Sequence, residues 1–189
     1  MEKEKRTLKF SEIFGFGAGG MFTYGFQLMI TGYYLLYYMT DIAGFSTVLA
    51  ASLYSTIQII KMVTMLFSGV IIDAINFRSG KYRTWVLVSG IGLGLFFPLS
   101  FFYYPLPQSV YVVVFMIIYT LQTLFYNVGW TAMRAVIGKV AKNKADVVAL
   151  NTSAQSAGTI SSILYGYIGY PILGIALWAG TKQAYGCAS

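Results

Sequence analysis

The sequence predicts an all-α integral membrane protein with five complete transmembrane helices and the start of a sixth. Hydrophobic residues make up 57% of its 189 residues and charged residues only 10%, whereas about a quarter of the residues are charged in soluble domains. Long apolar segments alternate with short polar connections, and about 20 apolar residues cross a bilayer as a helix. One connection contains the three cations Arg78, Lys81 and Arg83. It must lie in water, because each cation would cost about 2.5 to 3.5 kcal/mol at mid-membrane.

The first helix is predicted over residues 14–39, which is longer than a span requires. Residues 1–9 are highly charged. A secretory signal has a short apolar core, whereas the apolar segment here is long, so a retained helix is predicted. The glycines in its first half are interpreted as helix-packing positions, because small residues let helices approach closely. No strand precedes them, which argues against a phosphate-binding loop.

The charges in the connections predict the orientation of the helices. Further helices are predicted over residues 47–72, 85–102, 110–136 and 147–179. The connections after the first and third helices contain no Lys or Arg, whereas those after the second and fourth are basic. Short basic loops concentrate on the cytoplasmic side. The chain is therefore predicted to be a multi-pass protein of the cytoplasmic membrane with a cytoplasmic N-terminus.

The fifth predicted helix carries a stripe of small residues, because Ala149, Ser153, Ala157 and Ser161 recur every four positions. Such a stripe predicts close contact with another helix. Gln155 lies in the same polar part of the helix, where it could bond either a sugar hydroxyl or a neighbouring helix. The residues after 179 are too few to complete a sixth span.

The composition excludes several other classes of protein. The net charge of +7 arises from Lys and Arg at the ends of apolar segments and not from a continuous basic face, so no nucleic-acid partner is predicted. One cysteine and no histidine exclude an internal disulfide framework and a His-based metal or acid/base site. We therefore predict no metal, no cofactor and no catalytic residue. The predicted partners are a small-molecule solute and the lipid bilayer.

The basic connection after the second helix resembles the loop signature of the major facilitator superfamily. The residues that carry the signature are Gly69, Asp73, Arg78, Gly80, Lys81 and Arg83. Three segments, YYMTDIAG at 37–44, GKYRTW at 80–85 and FYNVGWTA at 125–132, are similar to segments of the glycoside/pentoside/hexuronide:cation symporters, the melibiose permease family. The resemblance extends over residues 10–189.

This resemblance implies that residues 1–189 are an incomplete N-terminal transmembrane domain of a secondary transporter, with the C-terminal domain absent. The missing half, or another copy of the chain, would be a partner. The implied function is to move a sugar, glycoside or hexuronide-like solute by alternating access. A non-transporting membrane scaffold or assembly module and a membrane-embedded enzyme stay open as alternatives.

The second helix departs from that family. Family members carry W-D-A-x-x-D-P, whose two carboxylates coordinate the coupling cation, whereas residues 60–66 read IKMVTML here. Sodium needs several oxygen ligands, preferably anionic, and Thr64 has the one hydroxyl in this segment. A sodium site of the family type is therefore not predicted.

Lys61 is the central site candidate, because it lies some 18 Å from either membrane interface, farther than a lysine side chain reaches. Its expected partner is an anionic solute, a polar group, or a carboxylate outside this sequence. The other substrate-cavity candidates are Gln27, Gln58, Trp130 and Gln155. The six residues of the loop signature and Arg134 are candidates for gating on the cytoplasmic side. Arg134 is expected either to pair with Asp73 or to stay solvated.

Overall fold

The computed structural model describes residues 8–21, 25, 32, 34–75, 77 and 80–185, with side chains except at 20, 21 and 168–185. All regular elements in these residues are helical. In chain order they are α1 (Phe10–Phe16) with a π-helical turn (Gly17–Met21), α2 (Leu35–Tyr37) with a π-helical turn (Tyr38–Ile42), α3 (Thr47–Ala74), α4 (Lys81–Ser100), α5 (Gln108–Val140) and α6 (Lys144–Tyr185).

Three of the described helices, α3, α4 and α5, are long and apolar enough to cross a membrane. They correspond to the second, third and fourth predicted helices, and they confirm a helical membrane protein. The first predicted helix lies partly outside the described residues, and the fifth lies within α6. The number of five complete spans therefore stays a prediction.

The start of α4 differs from its predicted position, because Lys81 and Arg83 lie in the first turn of the helix and not in the loop. Gly80 precedes them with a φ of 100°, a conformation that glycine adopts without the steric penalty of a side chain. The chain therefore turns at Gly80 and becomes helical at once. The prediction was wrong here because it assigned every cation of this region to the connection.

The connections define two ends of the helical array. The aromatic end holds residues 43–46 and 101–107, and the basic end holds residues 75, 77, 80 and 141–143. At the aromatic end, the Tyr38 hydroxyl donates to the Phe102 carbonyl at 2.8 Å and accepts from the Tyr111 hydroxyl at 2.7 Å. Tyr38, Tyr111 and Phe115 are buried, so this end is fixed by both ring packing and hydrogen bonds.

The small-residue stripe of α6 packs against the glycines of the first predicted helix. Ser153 Oγ donates to the Ile13 carbonyl at 2.8 Å. A Cβ atom at Gly17 would collide with Ser153, and one at Gly25 would collide with Ser161. Residue numbers rise together along the two segments, so they run parallel. The predicted close contact of this stripe is thus confirmed, and glycine is what permits it.

At the basic end, the buried side chain of Asp146 holds neighbouring backbone segments together. Its side chain is fully buried, and its carboxylate oxygens accept the backbone N–H of Leu8 at 3.2 Å and of Lys142 at 3.4 Å. Asn143 Oδ1 in turn accepts the backbone N–H of Asp146 at 2.8 Å and caps the start of α6. The segment before α1 is therefore attached to the start of α6.

Candidate functional site

A row of polar side chains joins α3 to α5 in the middle of two apolar helices. Asn127 Nδ2 donates to Thr64 Oγ1 at 2.7 Å and to the Lys61 carbonyl at 3.1 Å. One turn towards the basic end, the hydroxyls of Ser68 and Thr131 are 2.8 Å apart. We call Lys61, Thr64, Ser68, Asn127 and Thr131 the polar seam.

The polar seam forms because both helices place polar residues four positions apart. Thr64 and Ser68 lie on one face of α3, and Asn127 and Thr131 lie on one face of α5. The two α3 hydroxyls also donate to carbonyls of their own helix, Thr64 to Ile60 at 2.8 Å and Ser68 to Met65 at 2.7 Å. Polar groups within a bilayer need such partners, because no water is present to satisfy them.

Lys61 extends from the helix face that carries the seam. On this face Ile57 is buried, Lys61 itself is half-buried, and Thr64 bonds to α5. Met62 and Leu66, on another face of α3, are strongly exposed. Within the part of the chain that the structure describes, the Lys61 ammonium has no ion pair or hydrogen bond. The site candidate therefore lies beside other polar groups and not on the exposed apolar surface.

A second feature, which we call the aromatic column, consists of Tyr126, Trp130 and Arg134, spaced by four residues along α5. The rings of Tyr126 and Trp130 are stacked with centroids 6.2 Å apart. Arg134 lies over the Trp130 ring with its Cζ 4.7 Å from the centroid, a cation–π geometry. Tyr126 and Trp130 belong to a cluster that includes Phe16 and Ala154, so the column faces α1 and α6.

The structure does not bring all the substrate-cavity candidates together. Gln58 on α3 and Gln155 on α6 are exposed, and no described hydrogen bond joins either side chain to Lys61 or Trp130. Gln27 lies outside the described residues. The arrangement thus groups Lys61 with the seam, Trp130 with the aromatic column, and leaves the two glutamines on the surface.

The Asp73–Arg134 pair, one of the two alternatives expected for Arg134, is not formed among the described residues. Asp73 Oδ1 is instead 2.6 Å from Lys81 Nζ, because the early start of α4 brings Lys81 back towards the end of α3. Arg134 lies on Trp130. The Asp73 side chain is 75% exposed, so its pair contributes less than about 1 kcal/mol.

The other gating candidates occupy the surface of the basic end. Arg83 and Gly80 are exposed, and Gly69 is half-buried with open space where a Cβ would lie. Arg78 lies outside the described residues. Among the described residues, no group of three or more His, Cys, Asp or Glu side chains is placed to hold a metal ion.

Sequence reasoning missed Ser68, Tyr126, Asn127 and Thr131 as site residues. The signal for the three seam residues among them is a spacing of four from another polar residue, in helices that consist mainly of apolar residues. Interhelical hydrogen bonds commonly use such side chains in membranes. What the sequence lacks is the register that aligns the two pairs.

Replacing Asn127 by leucine should lower the stability of the α3–α5 pair modestly. The substitution removes two hydrogen bonds, and one such bond in a membrane protein contributes about 0.6 kcal/mol, rarely more than 1.7. We expect a lower thermal midpoint for the purified chain in detergent micelles. Asn151→Leu is the control, because the hydrogen bond of Asn151 Nδ2 within the described part of the chain goes to the Val147 carbonyl of its own helix. Equal midpoints for the two variants would show that the seam does not hold the helices together.

Comparison with known proteins covers almost the whole chain. A family model described as MFS/sugar transport protein matches residues 15–186. The Escherichia coli K12 protein YagG, named as a glycoside/cation symporter, is 27% identical over 78% of this chain and 32% of its own length. The isoprimeverose transporter of Lactiplantibacillus pentosus is 23% identical over 96% of this chain and 38% of its own length.

A third relative, the E. coli K12 inner membrane symporter YicJ, is 24% identical over 69% of this chain and 29% of its own length. The chain thus spans about a third of the length of the curated relatives it matches. No solved structure gives a significant match. Because the family model matches the chain from α1 to the end of α6, the chain belongs to the MFS/sugar transport protein family.

Proposed function

We propose that this chain is the N-terminal part of a secondary active transporter for a sugar, glycoside or hexuronide-like solute. The observation that carries the proposal is the family match over residues 15–186, which includes both the polar seam and the aromatic column. The names of two relatives, a glycoside/cation symporter and an isoprimeverose transporter, support a sugar-like solute. The name of the third, an inner membrane symporter, supports a location in the cytoplasmic membrane.

The proposed architecture has five spans, with the N-terminus and the basic end on the cytoplasmic side. A second half, from a C-terminal domain or another copy, would close a substrate site near the membrane midplane and alternate its access. In this arrangement α3 and α5 supply one wall of the site. Residues 1–189 alone would then not transport.

In this proposal, the aromatic column and the polar seam contact different parts of the solute. Trp130 is half-buried, and the proposal assigns its indole to apolar contact with the solute and the neighbouring Arg134 guanidinium to hydrogen bonds with its hydroxyls. Lys61 stands in the segment where a sodium site would need carboxylates, and Thr64 is already bonded to Asn127. Coupling by sodium at this position is therefore not part of the proposal.

A chimaera tests the function. Residues 15–186 of this chain would replace the matching segment of the isoprimeverose transporter, and uptake of labelled glycosides would be measured in cells lacking related transporters. We expect concentrative uptake by the chimaera and none by residues 1–189 expressed alone. Monodisperse elution of the detergent-solubilised chimaera would establish folding. A folded, membrane-inserted chimaera that accumulates no member of a panel of glycosides and glucuronides would contradict the proposal, as would uptake by the chain alone.

A further inference from the structure

We propose that Lys61 is an anion-binding position that recognises the carboxylate of an acidic sugar-like solute. The inference rests on the proposed transport function and specifies the substrate class of the same site. Four observations carry it: the depth of Lys61, the face from which it extends, its surroundings, and the balance of charge in the described helices.

Lys61 lies at the middle of α3. Thr47 begins the helix and Ala74 ends it, so Lys61 is about 20 Å from either end at 1.5 Å per residue. A lysine side chain is much shorter than this distance, so the ammonium does not reach an interface by extending along the helix. Its charge must be compensated inside the protein.

The face of α3 from which Lys61 extends is the one that contacts α5. Its neighbours on this face are Ile57, which is buried, and Thr64 and Ser68, which bond to α5. The side chain is half-buried, so the contact between α3 and α5 does not enclose it. The proposal places the solute against this exposed part of the side chain.

The charge balance of the described helices favours an anion at this position. Lys61 and Arg134 are the two described cations that lie more than one turn from the ends of α3 and α5. The described acidic residues all lie at or near element ends: Glu12, Asp41, Asp73 and Asp146. Asp73 belongs to the same helix as Lys61 but is twelve residues, or about 18 Å, away, and it pairs with Lys81.

The chemistry that suits this position is a carboxylate. A buried ammonium is strongly disfavoured without an opposite charge or several acceptors, and a neutral sugar offers only hydroxyls. A carboxylate forms a charge-assisted bond with the ammonium. Asn127 and Thr64 already bond to each other beside it, which fixes the wall of the site.

The test uses the purified chain in nanodiscs of neutral lipid and two probes that differ only at C5. These are p-nitrophenyl β-D-glucuronide, which has a carboxylate, and p-nitrophenyl β-D-glucoside, which has a hydroxymethyl group. Acetylation of Lys61 by a membrane-permeant reagent is followed by peptide mass spectrometry, with the exposed Lys139 as internal control. We expect the glucuronide to protect Lys61 and the glucoside not to, while Lys139 reacts equally in both.

Binding constants provide a second readout. Lys61→Gln should weaken glucuronide binding about tenfold or more, because it removes one partner of a desolvated charge pair, and this loss should exceed any loss of glucoside binding. Lys61→Arg, which keeps the charge but changes its shape, should retain part of the affinity. The proposal is supported if the variants keep their thermal midpoints and lose the preference for the glucuronide over the glucoside.

Three results would overturn this inference. One is equal protection of Lys61 by both probes, and another is unaltered glucuronide binding by a folded Lys61→Gln variant. The third is a Lys61 that reacts only after the second half is removed from the chimaera, which would assign its counter-charge to a protein carboxylate. If the chimaera still takes up neutral glycosides in any of these cases, the proposed transport function holds and only the role of Lys61 is refuted. Failure of the inference and failure of the proposed function are therefore distinguishable.

Discussion

Replacing Gly17 by leucine should separate the first helix from α6, whereas the same replacement at Gly15 should be tolerated. A Cβ atom at Gly17 would lie on the Ser153 side chain and 2.9 Å from the Ser153 carbonyl oxygen. The side chain can rotate away, but the backbone cannot. Overpacking of this kind costs about 1–3 kcal/mol, occasionally more. At Gly15 nothing lies within 4 Å of the added atom, so the side chain extends into open space.

Thermal unfolding of the two purified variants in detergent micelles, followed by tryptophan fluorescence, measures this difference. The pair is well matched, because both glycines lie in the same short segment and receive the same apolar side chain. We expect a clear fall in the midpoint for Gly17→Leu and little change for Gly15→Leu. If Gly15→Leu is the more damaging variant, the described contact between Gly17 and Ser153 is wrong.

Asp146→Ala should release the segment before α1 from the start of α6. The substitution removes the acceptor of two backbone N–H groups, those of Leu8 and Lys142. Leaving buried donors without a partner costs about 1–3 kcal/mol, and more when the lost partner is charged. Asp146→Asn, which keeps one acceptor oxygen in the same place, should show a smaller loss.

Limited trypsin digestion provides the readout for Asp146, because Lys9 lies directly after Leu8. We expect faster cleavage at Lys9 in Asp146→Ala than in the unchanged chain, together with a lower thermal midpoint. Asp41→Ala is the control, since Asp41 is exposed and accepts a hydrogen bond from its neighbour Thr40. Cleavage at Lys9 that is equally fast in the unchanged chain would refute the attachment.

The sequence predicted the middle of each described span better than its ends. Their length and mainly apolar composition make α3, α4 and α5 able to cross a membrane, because such segments match the hydrocarbon core. The ends depend on local backbone geometry. Lys81 and Arg83 were expected in a loop, but the positive φ of Gly80 starts the helix before them, and this angle cannot be read from charge.

A site residue could be predicted from the sequence where that residue was unusual by itself. Lys61 stands out as a charge in an apolar segment. Asn127 does not, because its importance depends on Thr64, which is 63 positions away in the sequence. The pairing of Asp73 failed for the same reason: the choice between Lys81 and Arg134 depends on distances that follow only from helix packing.

The parallel contact of α1 and α6 has a consequence for how its register is determined. A shift of α1 by one turn along α6, about 5.4 Å, would place Ile13 or Met21 opposite Ser153, where even a Cβ atom at Gly17 collides. The close approach therefore favours the register in which Gly17 faces Ser153 and Gly25 faces Ser161. Two directional contacts hold the same register, because Ser153 donates to the Ile13 carbonyl and Asp146 accepts the Leu8 N–H. Ser153 thus both permits the close approach, by its small size, and fixes its position, by its hydrogen bond.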